Sequence, residues 1–394
     1  MKPLNELLDA LGIVAYREEI RPYYESLTEE ELEPISEEEI IRLQEKYGLL
    51  GDYLPQVLEG RRLLENDPDR KLWVALATKC IKILPISAVR KLPIPASDAS
   101  FAQDMAPLFP LLPAVESAVQ NYLDHGFSEE EARQFMHTYE GGLSVLDTRI
   151  GHPGINTTYF HWIGRYAKAS IFRCGGLNFE FTEYPANARV LRNIKTGKIE
   201  IIMRNLVFNK NGLPLESAGQ NDPDGAFATA MAVTPDTYYG YPVRGIRCVN
   251  ELTAFPRDEW ESLATQGDMM YSVHIPRGAD ISPEASRSAF RKALEIARVH
   301  YPELKIHGLF CHSWLLDPIF DELLPDTSKI RAFGSLYTRY PWKSSGDAVF
   351  SFVFPKKVPF EELPENTTLE RKLKQLYLAG KCVHVYGGFI PLDF

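Results

Sequence analysis

Residues Met269 to His300 read MMYSVHIPRGADISPEASRSAFRKALEIARVH, and this stretch decides the fold. MMYSVHI has the apolar content of a strand, PRGAD that of a loop, and Pro283 to His300 the spacing of an amphipathic helix. Ser282 is placed to cap the amides of the first helical turn, and Pro283 takes the one position where a missing N–H costs nothing. Phe290, Leu294 and Ala297 fall on the apolar side of the helix, with Arg287 and Arg291 as a basic stripe opposite. A second strand is expected from Lys305 to Ser313. A strand, a helix and a strand joined in this way form a parallel pair with a right-handed crossover.

Downstream, the pattern predicts a short helix at Pro318 to Leu324 and strands at Arg331 to Thr338 and Ala348 to Pro355. The last helix, in NTTLERKLKQLYLAG, opens with a capping box from Thr367 to Glu370 and stops at Gly380. Upstream, Ala169 to Arg173 and Leu177 to Tyr184 flank Cys174-Gly175-Gly176, and Arg189 to Asn193 and Ile199 to Phe208 flank KTGK. Each pair reads as a hairpin, and together they predict an antiparallel meander. Asn209 to Asp268 is rich in Gly, Pro, Asp and Asn and reads as an irregular insertion whose only strand-like portion is YGYPVRGIRCVNEL. Such a segment is either a surface excursion or a binding loop.

From Met1 to about Gly151 the apolar residues recur at three- and four-residue spacing, and Ser128 with Glu131 forms another capping box. IGHPGIN, Ile150 to Asn156, reads as the turn that ends this helical part. The expectation is an α+β protein, with a helical domain at residues 1–151 packed on a mixed-sheet domain at residues 152–394 that carries the insertion at 209–268.

Of the 394 residues 45% are hydrophobic and 24% charged, ordinary values for a globular chain. The formal net charge of −10, with acid concentrated between Ser26 and Ile40, argues against a nucleic-acid or anionic-membrane footprint. Five scattered cysteines without a C-x-x-C pair disfavour a disulfide framework and a zinc site, and they point to a reducing cytoplasm. No run approaches the roughly 20 apolar residues that span a bilayer. No histidine spacing places two on one helix face beside a carboxylate, so no metal is expected.

Candidate chemistry gathers at the ends of the two parallel strands. The free amides before Pro283, Gly278 and the positive Arg277 would suit an anion, although any capped helix after a strand offers much of this, and Asp280 opposes a phosphate. In GLFCHSWLLDP, Gly308 to Pro318, adjacent residues of a strand point to opposite faces, so Cys311 and His312 cannot serve each other as nucleophile and base. Cys311 is then a small core residue or an isolated thiol. His274 and His312 stand at comparable distances from the C-terminal ends of their strands, where ligands of open sheets gather. Each is either a base for an amine or a hydrogen-bonded structural histidine. Asp317, before Pro318, reads first as a helix cap. Trp162, Trp260, Trp314 and Trp342 read as core or as an apolar or sugar-binding surface.

The segments VHIPRGADISPEASRSAF, FCHSWLLDP and TLERKL, with YFHWIGRYAKASIFRCGGLNFEF upstream, resemble a bacterial group in which a helical N-acyltransferase N-terminal domain precedes a GNAT-like C-terminal domain. The resemblance implies acetyl-CoA or another acyl-CoA bound where two strands part, its pantetheine along His274 and Ile275. It implies a diphosphate on Arg277, Gly278 and Ala279 against the helix opened by Ser282. Many such enzymes protonate the leaving thiolate with a tyrosine on the helix after the second parallel strand. Pro318 to Leu324 has none, and the nearest are Tyr337 and Tyr340. PRGADIS also departs from the usual phosphate loop, having one glycine and an acid. The expected activity is acyl transfer from acyl-CoA to a small amine by a cytoplasmic enzyme, with His274, His312 and Tyr337 as catalytic candidates and a homodimer as the assembly considered. The alternatives are a catalytically idle scaffold that binds a metabolite or protein, and a hydrolase using Cys311 or His312.

Overall fold

The computed structural model describes residues 1–354 and 358–394, and of Ser351 the backbone alone. The chain forms two compact units, Met1–Phe172 and Arg173–Phe394.

The first unit is helical. Its longer helices include Glu37–Tyr47, Leu54–Leu64, Pro68–Ile83, Val115–Asp124, Thr138–Ile150 and Thr157–Ala167. Their ends follow local chemistry. Ser36 and Asp67 each accept an amide hydrogen bond from the first turn they cap, and Ser128 and Glu131 close the expected reciprocal box. Trp73, Phe109, Tyr122, Tyr139 and Phe160 are fully buried, each large ring contributing about 2–3 kcal/mol of apolar burial. The phenols still find partners, Tyr139 donating to the carbonyl of Leu111 at 3.0 Å and Tyr122 to that of Ile171 at 2.6 Å.

The strands begin with β1 (Ile171–Cys174), which runs across the boundary at Phe172, and β2 (Leu177–Glu183); the two meet at Gly175 and Gly176, both at positive φ, as the hairpin reading requires. Then come β3 (Ala188–Asn193), β4 (Ile199–Met203), the short β5 (Val207–Phe208), β6 (Phe227–Ala228) and β7 (Ala232–Val233), and β8 (Thr237–Arg244). These are followed by β9 (Arg247–Cys248), β10 (Thr253–Pro256), β11 (Trp260–Thr265) and β12 (Met269–His274). After the helix Pro283–His300 come β13 (Leu309–Ser313), β14 (Thr338–Pro341) and β15 (Tyr386–Ile390).

One sheet runs β1-β2-β12-β13-β15-β14, with β12 and β13 parallel. A second runs β10-β8-β4-β3-β11. The expected single meander is therefore split, because the β3/β4 hairpin leaves the first sheet and β12 pairs directly with β2. The segment read as irregular supplies β8, β10 and β11 to the second sheet. The start of YGYPVRGIRCVNEL, the one portion read as strand-like, lies in β8, whereas Pro256, within β10, hid that strand from a pattern reading. Ala188, Val190, Ile201, Met203 and Ala264 from the second sheet pack with Met270, Phe310, Tyr340 and Phe389 from the first in one core.

Two predicted strands are helical. Lys329–Gly334 forms a helix where a strand was expected from Arg331, with Ile330 packed on the cluster that contains Trp314 and Phe333 buried against Tyr337. Val349–Phe352 is likewise a helical turn within the expected Ala348–Pro355 strand, of which Pro355 lies outside the described residues. Val349 and Phe354 are drawn into an apolar cluster with Leu373 and Tyr377 of the last helix, and that burial overrides their strand propensity. The strand that completes the sheet is β15, whose YGGFI carries two glycines. A Cβ on Gly387 would lie 2.2 Å from the Tyr340 ring, and one on Gly388 would lie 2.8 Å from Tyr337 Cβ. The glycines permit close approach and at the same time disguise the strand.

Candidate functional site

The site begins where a ladder stops. β12 and β13 are in register only at Tyr271 with Leu309 and Ser272 with Phe310. Beyond these pairs, Val273 and His274 stay with Phe179 and Asn178 of β2, while Cys311, His312 and Ser313 stay with Gly388, Gly387 and Tyr386 of β15. The two parallel strands thus part toward their C-terminal ends.

Register assigns the side chains to faces. Val273 lies opposite Phe179, whose ring meets Phe290 of the long helix at 6.3 Å, so these residues face the helix. Met270, Ser272 and His274 alternate to the other face, as do their partners Thr182, Glu180 and Asn178. Phe310 and His312 share that face, because Phe310 joins Met270 in the inter-sheet core.

On the inter-sheet face, His274 Nε2 lies 2.9 Å from Oε2 of Glu180, a residue with no solvent exposure. A neutral imidazole held in this way carries its proton on Nε2 and its lone pair on Nδ1. His312 Nε2 is 2.8 Å from the Tyr340 hydroxyl, and the ring stacks on Trp342 at 3.9 Å and 21°. Burial, with His274 nearby, lowers its pKa to about 3, so His312 is neutral at physiological pH. The two histidines singled out in the sequence therefore come together, one bonded to a carboxylate and the other to a phenol.

On the helix face lie Cys311, Ser286 and Tyr337. Burial pushes the Cys311 thiol up to about 12, so no resting thiolate is available. Tyr337 packs against Phe290 at 6.2 Å and Phe333 at 5.2 Å, which separates it from the histidines by the thickness of the sheet. Its hydroxyl and the Ser286 Oγ are buried without a hydrogen-bond partner among the described residues.

The turn after β12 keeps the predicted features. Arg277 and Gly278 are exposed, Gly278 has φ +78°, and the Ser282 Oγ caps Ala285 at 3.4 Å. Ala279 donates its amide to the Pro276 carbonyl at 3.1 Å, and Ile275 packs on the cluster containing Trp314. The unexpected acid is answered within the fold. Asp280 Oδ1 accepts from Lys329 Nζ at 2.9 Å and from the Ser282 amide at 3.0 Å.

Asp317 caps as expected, accepting from the amides of Ile319 at 2.9 Å and His384 at 2.6 Å, and burial raises its pKa to about 6. A Cys–His contact does exist elsewhere, with Cys382 Sγ 3.6 Å from His384 Nε2. Burial raises the thiol and lowers the imidazole, which leaves that pair uncharged. No group of three metal-ligating side chains occurs among the described residues, and none of their helices is long and apolar enough to cross a membrane.

Glu180 and Asn178 escaped the sequence reading. In LNFEFTE the polar positions alternate as on a solvated strand face, yet Asn178 is 4% exposed and Glu180 fully buried. Burial of the polar side of an alternating strand was the missing signal.

The family model for the GNAT-like C-terminal domain matches residues 171–390. None of the curated proteins matches the chain. Among solved structures, an acyltransferase mutant of orf11* in complex with octanoyl-CoA is similar at a TM-score of 0.66 and 17% identity, covering 99% of both chains. An acyltransferase in complex with decanoyl-CoA and teicoplanin is similar at 0.64 and 17%, again over 99% of both. A third, in complex with CoA and 10C-teicoplanin, gives 0.63 and 17% over 98% of this chain and 99% of that one. At such identity the likeness is one of fold.

Proposed function

The chain belongs to the family defined by the GNAT-like C-terminal domain, and from that premise we propose that it is an acyl-CoA-dependent N-acyltransferase acting on a primary amine. The observation that carries this reading is the parting of β12 and β13 after Ser272 and Phe310. A pantetheine arm threaded there meets the free edges of two strands, whose amides can hold the thioester carbonyl and the oxyanion it becomes.

In this reading Arg277, Gly278 and Ala279, with the helix capped by Ser282, take the diphosphate, and Lys329 adds a positive charge beside the turn. His274, held by Glu180, accepts a proton from the acceptor ammonium. His312, neutral and tied to Tyr340 and Trp342, fixes the wall of the gap. From the helix face the unpartnered Tyr337 hydroxyl serves the leaving thiolate, with Ser286 beside the arm. Octanoyl-CoA and decanoyl-CoA, found in the solved neighbours, are the donors to try beside acetyl-CoA.

The test is thermal unfolding with CoA and each acyl-CoA, followed by release of free CoA thiol on adding primary amines. A ligand at 100 times its dissociation constant raises stability by about 2.7 kcal/mol. Stabilisation and amine-dependent thiol release are expected, and their joint absence would overturn the reading. A second reading, a scaffold for another metabolite, draws on Asp280, whose carboxylate already occupies the Ser282 amide. Stabilisation by CoA without turnover on any amine would favour it.

A further inference from the structure

We propose that Asn178 is the residue that binds the acceptor amine, its side-chain carbonyl receiving one N–H while His274 removes a proton from the same nitrogen. The inference rests on the acyl-transfer reading above and extends it to the second substrate.

Asn178 is directly opposite His274 in the β2/β12 ladder, so the two side chains leave the same face of the sheet about 5 Å apart at their Cβ atoms. Asn178 is 4% exposed, and its Oδ1 has no hydrogen-bond partner among the described residues. A buried acceptor left unsatisfied is a cost to the fold, and most such atoms in folded proteins are paired. Glu180, two residues along β2 and on the same side, is committed to His274. The neighbourhood thus offers a carbonyl oxygen in need of a donor, a histidine and a buried carboxylate that favours positive charge. An ammonium satisfies all three.

The step balances. The ammonium keeps one N–H on Asn178 Oδ1 and gives one proton to His274, and the lone pair so freed forms the N–C bond at the thioester carbonyl. The C–S bond then breaks, and the departing thiolate takes up the second proton lost by nitrogen. The amide product retains its single N–H.

Because Oδ1 is unpartnered, the functional and structural consequences of replacing Asn178 have opposite signs. Asn178→Leu removes a buried acceptor for an apolar group of similar size, so its melting temperature should equal or exceed that of the parent. Its KM for the amine should rise about tenfold or more, the worth of one hydrogen bond to a charged donor, while KM for the acyl-CoA stays within about twofold. Asn178→Asp keeps an acceptor oxygen and should retain amine binding. The assay is initial-rate kinetics with octanoyl-CoA as donor and a panel of primary amines including glucosamine and spermidine as probes, with unfolding of each variant in parallel. An unchanged amine KM in Asn178→Leu, its loss in Asn178→Asp, or a lower melting temperature in Asn178→Leu each overturns the proposal alone. If the parent protein responds to neither acyl-CoA nor any amine, the proposal and the acyl-transfer reading fall together.

Discussion

His274 Nε2 and Glu180 Oε2 stand 2.9 Å apart across neighbouring antiparallel strands, and the carboxylate has no solvent exposure. A carboxylate this dry is costly unless it is hydrogen-bonded and faces positive charge, so the pair is either a structural tie or the means of orienting a base. Glu180→Gln separates the two. The amide preserves shape and can still hold the ring, but it no longer stabilises an imidazolium formed during turnover. We expect kcat to fall by about tenfold to a hundredfold with acyl-CoA binding unchanged in calorimetry, within the range that general-base catalysis contributes. A structural tie alone would lower the melting temperature and leave kcat per folded molecule intact.

The parts legible in the sequence were those fixed by local chemistry. Ser282 with Pro283 set the start of the long helix, Thr367 with Glu370 set the last one, and Gly175-Gly176 set the first hairpin. These signals act within a few residues and survive any tertiary context. What escaped depended on partners distant in sequence. YGGFI is a strand whose glycines admit Tyr340 and Tyr337 at close range, and Val349 and Phe350 lie in a helical turn packed with Leu373 and Tyr377. The same holds for the candidate site. His274 and His312 were legible as residues near strand ends, whereas Glu180 and Asn178 matter through pairing with a strand about 90 residues further along the chain.

His312 makes the fold acid-sensitive. Its pKa in the folded protein is lowered by burial, and then by His274, to about 3 from an ordinary value near 6.5. Between those values the unfolded chain binds a proton that the folded chain refuses, so stability falls as pH drops through that window, at up to ~1.4 kcal/mol per pH unit. Asp317 acts in the opposite sense between about pH 4 and 6, since its raised pKa makes the folded protein the better proton binder there. Urea unfolding at pH 7.0, 5.5 and 4.0 should show a shallower acid loss in His312→Phe and a steeper one in Asp317→Asn. Identical slopes in all three proteins would contradict the assignment.

Gly387 is a steric requirement of the His312 wall. An ideal Cβ there would lie 2.2 Å from two ring atoms of Tyr340, closer than any real contact, and a tyrosine ring in a packed core moves only by disturbing its neighbours. Gly387→Ala should therefore displace Tyr340 and destabilise the protein by about 1–3 kcal/mol, the usual cost of overpacking. Tyr340→Phe tests the hydrogen bond alone. It keeps the ring and strips the partner from His312 Nε2, which should cost about 1–3 kcal/mol. Tyr340→Phe should partly rescue Gly387→Ala, because the hydroxyl is itself 2.7 Å from where that Cβ would stand. Additive losses in the double variant would mean that the two positions do not share a constraint.

Asp280 and Lys329 should influence ligand affinity without influencing stability. Both side chains are more than half exposed, and exposed ion pairs contribute little to folding. The Lys329 ammonium, and then the Ser282 amide, hold the Asp280 carboxyl below its usual range, so it is ionised at neutral pH and occupies the amide that a diphosphate would seek. Asp280→Ala should leave the melting temperature of the free protein unchanged and tighten CoA several-fold by exposing that amide and removing a like charge. Lys329→Ala should weaken CoA, and raising the salt from 50 to 300 mM should shrink both effects as the charges are screened. A double-mutant cycle read by calorimetry with CoA decides the geometry. If Asp280 acts by competing for the anion position, Asp280→Ala tightens binding whether or not Lys329 is present. If instead it orders the turn, Asp280→Ala weakens CoA as much as Lys329→Ala does, and the carboxylate is then a support of the site rather than an occupant of it.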